Sequence, residues 1–254
     1  MSKIFTVSVV YAMLYLTVTN GSIISGNTLN SKEHSMKELL VNRFRFASRK
    51  PSPERIARKF DAARIPYQYI DCVNWKEYPY KPVVKFRMAY SNDELYLQFY
   101  VREKYILAQC EPEDDSCWPS NDSCVEFFVS PGSDHNYYNF EFSCIGYCLI
   151  QSGPGRPGRK RLPGEITKQV RVLSTLGKET FDLKEGDFEW TLTVAIPLLI
   201  MEKQHKKLKE EKWTANFYKC GDKLPEKAYL SWNPVGTPGP DFHSPEYFRA
   251  IRFE

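Results

Sequence analysis

The sequence predicts an all-β fold: a sandwich of antiparallel sheets with one or two short peripheral helices. Short runs of β-branched and aromatic residues recur with turn signals at intervals of about 8–15 residues, which is typical of sandwiches. Aromatic residues make up 15% of the 254 residues, and aromatic side chains favour pleated, half-buried surfaces. Only two segments have helical periodicity, and no internal repeat is visible.

Alternation of apolar and polar residues locates the strands. In residues 83–90 every second side chain is apolar, and a second such run follows the turn at 91–93. Residues 83–101 are therefore predicted to form a hairpin. The other predicted strands are 124–129, 137–150 with a break at Gly146, 166–173, 188–196, 213–220, 229–232 and 248–253.

Two segments are predicted to be helical. Residues 51–62 begin with Pro and Ser, carry Glu54 in the first turn and place apolar residues at helical spacing. The Lys- and Glu-rich segment 198–211 predicts an amphipathic helix or a helical turn after Pro197. Residues 152–164 are rich in Gly, Pro and basic side chains, which indicates a loop.

Two interpretations of the N-terminus stay open. In the first, residues 1–21 are a signal peptide, because one Lys is followed by an apolar run and then by small polar residues. Residues 22–45 are then a linker or an extension of uncertain structure, and the folded domain spans 46–254. In the second, Met36 is the true start. The first predicts a periplasmic or secreted protein and the second a cytoplasmic one.

Composition limits the partners and the metal chemistry. A net charge of +4 is too close to neutrality to indicate a nucleic-acid partner, and no apolar stretch after residue 22 is long enough for a transmembrane helix. Seven Cys without a CxxC pair argue against a zinc knuckle. Most are predicted to be buried free thiols, although Cys110, Cys117 and Cys124 lie close enough in sequence for one disulfide.

Motifs for catalysis are missing from the sequence. There is no nucleophile elbow, P-loop, HExxH or dinucleotide-binding glycine set. Glu126 and Glu141 are the candidate carboxylate pair of an alternative function, glycoside hydrolysis or lysis, although the plainer interpretation makes Glu141 an outward-facing residue. Asp114 and Asp115 lie in an acidic loop that offers oxygen ligands for Ca²⁺ but lacks the EF-hand spacing, so a solvated loop is the favoured interpretation.

Two tryptophans stand where a core residue is unexpected. Trp118 lies in an acidic, Pro- and Ser-bearing loop, and Trp232 lies where a strand runs into a Gly- and Pro-rich loop. Trp190 and Trp213 lie within strand patterns and are predicted to be core. Exposed aromatic faces together with carboxylates and amides are the groups that bind the flat C–H faces and the hydroxyls of sugars.

Four blocks resemble the carbohydrate-binding modules of family 9, especially the stand-alone branch of gut Bacteroidetes. The blocks are AYSNDELYLQFYVRE, CWPSNDSCVEFFVSP, YYNFEFSCIGYCL and the long stretch from Trp213 to Glu254. The resemblance implies a jelly-roll or DOMON-like β-sandwich without catalytic activity, which binds a mono- or oligosaccharide and serves polysaccharide degradation. It also implies that no cofactor is required apart from a structural Ca²⁺. We expect a monomer.

The resemblance also implies which residues bind the sugar. Two Trp residues sandwich the sugar ring in the family, and they correspond here to Trp118 and Trp232. Glu126 corresponds to the family's hydrogen-bonding Glu, and Asn233 or Asn216 to its amide. A charged donor is expected from the basic loop 156–161, with Arg156 as the first candidate. A haem module of the DOMON type is a further alternative, which needs axial ligands from Met88, Met201 or His135.

Overall fold

Strands are the main regular secondary structure in the computed structural model, which describes residues 36–111, 116–132, 136–204 and 208–254. Within these residues there are fourteen strands. Their bounds are β1 Leu39–Arg43, β2 Gln68–Tyr69, β3 Cys72–Val73, β4 Val83–Tyr90, β5 Glu94–Ala108, β6 Cys124–Pro131, β7 Tyr137–Ser143, β8 Cys148–Gly153, β9 Lys160–Arg161, β10 Arg171–Ser174, β11 Phe181–Pro197, β12 Trp213–Cys220, β13 Leu230–Ser231 and β14 Arg249–Phe253.

The strands form two sheets that share an edge at β1. The first sheet runs β14-β12-β6-β7-β8-β9, with β13 and β3 added beside β12, and the second runs β10-β11-β5-β4, with β2 beside β4. All these neighbours are antiparallel, whereas β1 pairs in parallel with both β14 and β4. The predicted antiparallel sandwich is confirmed. The structure adds strand β1, which was not predicted and is parallel to both of its neighbours.

The inner faces of the two sheets meet in an aromatic core. Phe86 of β4 stacks on Phe217 of β12 with ring centroids 3.6 Å apart. Trp232 lies edge-on to both rings, at 5.8 and 5.5 Å. All three side chains are fully buried, so the alternation predicted from the sequence places its apolar residues in this core.

A buried ion pair lies in the same interior. Lys219 of β12 and Glu103 of β5 approach to 3.0 Å, and neither side chain has any exposed surface. Trp190 donates its indole N–H to the same carboxylate at 2.9 Å. Burial is the largest influence on the pKa of Lys219 and lowers it, but the charge and hydrogen bond of Glu103, together with Cys220 and Cys124, outweigh burial, so the net shift is upward. The pair therefore links the two sheets through a charged contact without solvent.

One helix covers the outer face of the second sheet. This helix, α1, spans Pro53–Ala62 and buries Ile56 and Phe60, which pack with Tyr96 and Ala195 of the sheet. The helix predicted at 51–62 is confirmed. A second helix, α2, is a single turn at Gly164–Thr167. Within the described ranges, three 3₁₀ turns lie at Pro119–Asn121, Leu198–Met201 and Pro245–Tyr247.

Three local predictions differ from the structure. The strand expected at 166–173 is shortened, because α2 takes up its first residues and β10 begins at Arg171. Of the amphipathic helix or helical turn expected at 198–211, the described residues form the shorter alternative, the turn Leu198–Met201, which ends where Glu202 adopts a left-handed φ of 56°. Residues 39–43 lie in the stretch predicted as linker, yet Leu39 and Val41 are buried in β1 between two strands.

The predicted signal peptide, residues 1–21, lies outside the described residues. None of the helices within the described ranges is both long enough and apolar enough to cross a membrane.

Candidate functional site

A cavity of about 520 Å³ opens on the outer face of the first sheet. Its floor is formed by β6, β7 and β12, in which every second residue faces this side of the sheet. The segment after β13 covers part of the same face. Phe242 in that segment stacks on Tyr218 of β12 at 4.1 Å. The lining residues are Trp118, Ser120, Glu126, Glu141, Arg156, Arg159, Cys220, Asp222, Lys227, Tyr229, Pro240, Phe242 and His243.

Two carboxylates lie side by side on the floor. Glu126 of β6 and Glu141 of β7 are directly paired across the antiparallel ladder, and both are 3% exposed. Cys220 lies 3.0 Å from Oε1 of Glu126, and Asn139 donates to Oε1 of Glu141 at 2.9 Å. Among the described residues, Oε2 of each carboxylate is buried without a hydrogen-bond partner. The floor therefore presents two carboxyl oxygens that have no partner within the described part of the chain.

Burial and proximity keep this pair partly protonated. Burial raises the pKa of Glu126 well above its ordinary value, and the charge of Glu141 raises it further. Burial also raises the pKa of Glu141 to about 7, although the positive charge of Arg159 opposes that shift. Two adjacent buried carboxylates cannot both ionise cheaply, so the pair holds a proton at neutral pH.

Replacing Glu141 with Gln should stabilise the fold at alkaline pH. The folded pKa is above the unfolded one, so the folded state binds the proton more tightly and loses stability as pH rises from about 4.5 to about 7. We expect Glu141→Gln to raise the free energy of unfolding by about 2 kcal/mol at pH 8, with little change at pH 5. Urea unfolding at both values measures this. The exposed Glu165→Gln is the matched control, and a pH-independent difference would contradict the account.

Arg159 and His243 line one side of the cavity. Burial and then the charges of Arg159 and Arg156 lower the pKa of His243 to about 2, so its imidazole is neutral. Nε2 of His243 accepts a hydrogen bond from Arg159 at 2.7 Å. Nε of Arg159 is buried without a partner among the described residues, and the exposed Arg156 pairs with Asp241 at 3.0 Å. This side therefore offers hydrogen-bond donors opposite the acceptors of the floor.

An exposed aromatic face stands at the mouth of the cavity. Trp118 is 42% exposed and precedes the turn Pro119–Asn121. A disulfide joins its neighbour Cys117 to Cys110, with Cα atoms 5.4 Å apart. The other five Cys are buried free thiols, as predicted for most of them. Trp118 thus directly follows a half-cystine that is cross-linked to Cys110, just beyond the end of β5.

The structure corrects three of the predicted site residues. Trp232 is fully buried against Phe86 and Phe217 in the sandwich interior, so it has no face to offer a ligand. Asn233 exchanges two hydrogen bonds with the backbone of Lys37, and Asn216 bonds the backbone of Asn233. Both side-chain amides are fully buried, and their hydrogen bonds hold the segment after β13 in place. Trp118, Glu126 and Arg156 do line one cavity.

Sequence reasoning missed several lining residues. Glu141 was expected to be an outward-facing residue, and it was paired with Glu126 only in the hydrolase alternative; the β6–β7 register places it beside Glu126 on the outer face. His243, Tyr229 and Phe242 were not among the predicted site residues. Glu126 and Glu141 are 15 residues apart, a separation that is compatible with two strands of one hairpin. Which residues of the two strands face each other depends on the length of the turn, which the sequence pattern does not give.

The calcium candidates Asp114 and Asp115 lie outside the described residues. Within the described ranges, the group whose ligand atoms converge is Cys124, Glu126 and Cys220. Two thiols do not suit a cation that takes six to eight oxygen ligands, so this group does not fit calcium. For the haem alternative, Met88 and Met201 are both packed in the hydrophobic core and His135 is outside the described residues.

These features define a class: a β-sandwich with a polar cavity, one exposed aromatic wall and a floor of carboxylates, suited to a neutral, hydroxyl-rich ligand. The profile described as carbohydrate-binding family 9 matches residues 54–253. The chain belongs to this family.

Solved structures agree with the assignment. A candidate carbohydrate-binding protein from Bacteroides uniformis superposes with a TM-score of 0.81 at 38% identity, over 87% of this chain and 100% of that one. Two family 9 module structures from Caldicellulosiruptor kristjanssonii also match. One, in complex with glucose, has a TM-score of 0.50 at 12% identity over 86% and 96% of the two chains. The other, in complex with cellotriose, has 0.53 at 11% over 86% and 94%. The last two support the fold alone. No curated protein matches the chain.

Proposed function

We propose that this protein binds a mono- or oligosaccharide without cleaving it, and that the cavity between Trp118 and the Glu126–Glu141 floor is the binding site. The observation that carries the proposal is the convergence of unpartnered buried acceptors and an exposed indole in one cavity. Family membership and the glucose and cellotriose complexes of the family 9 modules favour a gluco-configured ligand.

Each wall of the cavity suits one part of a pyranose. The exposed face of Trp118 stacks on the C–H face of the ring, and Tyr229 or Phe242, which line the same cavity, supplies the second apolar contact. Oε2 of Glu126 and of Glu141 exchange hydrogen bonds with hydroxyls, because the pair carries one proton to donate and ionised oxygen to accept. Arg159 and Arg156 donate to hydroxyl oxygens. A sugar would satisfy groups whose burial without partners costs stability.

The carboxylate pair argues for binding rather than hydrolysis. Glycosidases place their two carboxyl groups on either side of the scissile bond. Glu126 and Glu141 instead come from adjacent strands of one sheet face, so both lie on the same side of any bound sugar. We infer a role in delivering or retaining saccharides during polysaccharide degradation, with any cleavage performed by another protein.

Isothermal titration of the full chain with glucose, cellotriose and xylotriose tests the proposal. We expect saturable binding of glucose or cellotriose with one site per chain, and no reducing sugar released from cellotriose on long incubation. Absence of binding to all three sugars would contradict the assignment, and release of glucose would replace it with hydrolysis.

The disulfide beside Trp118 should contribute to affinity. Replacing Cys117 with Ser opens the loop that holds the indole, so we expect weaker sugar binding and a loss of stability of about 2 kcal/mol from the lost cross-link. Calorimetry and urea unfolding measure the two effects. Cys72→Ser, which changes a buried free thiol away from the loop, is the control. An affinity equal to the parent's would show that the tether does not position Trp118.

A further inference from the structure

Two cysteines and a carboxylate converge beneath the cavity. Cys124 of β6 and Cys220 of β12 are directly paired across the ladder, and Glu126 lies two residues along β6 on the same face as Cys124. One ligand atom from each of the three lies within 4.8 Å of the others. The Sγ atom of Cys220 is 3.0 Å from Oε1 of Glu126.

This group carries unused ligand capacity. Neither cysteine is in a disulfide, and all three side chains are buried. Oε2 of Glu126 has no hydrogen-bond partner among the described residues, and no ion pair joins Glu126 to a described cation. A buried carboxylate oxygen without a hydrogen-bond partner lowers the stability of the fold unless a proton or a cation neutralises its charge.

We propose that Cys124, Cys220 and Glu126 bind a thiophilic divalent cation, with Zn²⁺ as the ion. In a tetrahedral zinc site with Zn–S of about 2.3 Å and Zn–O of about 2.0 Å, neighbouring ligand atoms lie roughly 3.5 Å apart. The three ligand atoms lie within 4.8 Å of one another, and two of them are 3.0 Å apart. Two thiolates select zinc over calcium or magnesium, and both thiols release their protons as the metal–sulfur bonds form.

The cavity gives the ion a route and a fourth ligand. Cys220 and Glu126 line the cavity, whereas Cys124 lies behind them. Three protein ligands leave one position of a tetrahedral zinc site for water or another oxygen from the cavity.

Cobalt absorption tests the proposal on the full chain after reduction with a phosphine under argon. Thiolate ligation gives Co²⁺ an intense near-ultraviolet charge-transfer band, and we expect this band to saturate at one equivalent and to disappear when Zn²⁺ is added. No charge-transfer band in the reduced protein overturns the proposal. So does a Cys124–Cys220 disulfide that persists after reduction, seen by peptide mapping.

Variants assign the ligands. Cys220→Ser should weaken cobalt binding by about 100-fold or more, as expected for loss of one of a few metal–ligand bonds, and Glu126→Gln should weaken binding while it keeps both sulfur bonds and the band. Cys72→Ser, which removes a buried free thiol elsewhere, should bind as the parent does. Circular dichroism checks that each variant is folded. If Cys220→Ser does not fold, the charge-transfer band of the parent protein alone decides whether the proposal stands. Parental affinity in folded Cys220→Ser overturns the proposal.

Discussion

Trp118→Ala is expected to weaken sugar binding by about 2 kcal/mol, or roughly 30-fold in Kd. Trp118 is the cavity's exposed aromatic face, at 42% exposure, and truncation removes its stacking area while leaving the hydrogen-bonding floor intact. Because the side chain lies in a surface turn, the loss should appear in affinity and leave stability nearly unchanged. Titration with cellotriose and urea unfolding separate the two.

Tyr69→Ala is the matched control for Trp118→Ala. Tyr69 is also an exposed aromatic residue, at 53% exposure, but it lies on β2 at the second sheet. Its variant should bind cellotriose as the parent does. Equal losses in the two variants would mean that the sugar does not stack on Trp118 specifically, and no loss in either would move the site away from this cavity.

Lys219→Met should destabilise the fold by about 3 to 5 kcal/mol. The substitution keeps the length of the side chain but leaves Glu103 charged and without its partner in the sandwich interior, where both side chains have no exposed surface. Urea unfolding at pH 7 measures the loss. Adding Glu103→Gln should recover much of it, because a neutral amide can still accept the indole hydrogen bond of Trp190.

An exposed ion pair provides the comparison for Lys219→Met. Arg102 and Asp187 approach to 2.6 Å with more than half of each side chain exposed. Solvent screens such pairs, so Arg102→Met should cost less than about 1 kcal/mol. A comparable cost for the two variants would show that burial does not govern the strength of the Lys219–Glu103 contact.

The fold was more predictable from the sequence than the site, for a physical reason. The alternation of apolar and polar residues along a strand decides which side chains face the core. This alternation is visible in residues close in sequence, such as Val84 and Phe86. Strand β1 was not predicted, because its five residues pair in parallel with strands that are distant in sequence. No local signal marks such pairing.

The site depends on register and on which face a residue takes. Trp232 follows a strand and precedes a Gly- and Pro-rich loop, a position that resembles a surface, yet it points into the core. Asn216 and Asn233 have the amide chemistry expected of sugar ligands, but backbone groups use it. Glu126 and Trp118, both predicted as site residues, line one cavity, whereas the pairing of Glu126 with Glu141 required the hairpin register.

A crystal structure of the protein with cellotriose would test the central claim most directly. The account predicts a pyranose ring stacked on the indole of Trp118, with hydroxyls within hydrogen-bonding distance of Oε2 of Glu126 or Glu141. A sugar bound elsewhere, for example in the cavity lined by Arg161 and Lys168, with the Trp118 cavity empty, would contradict it.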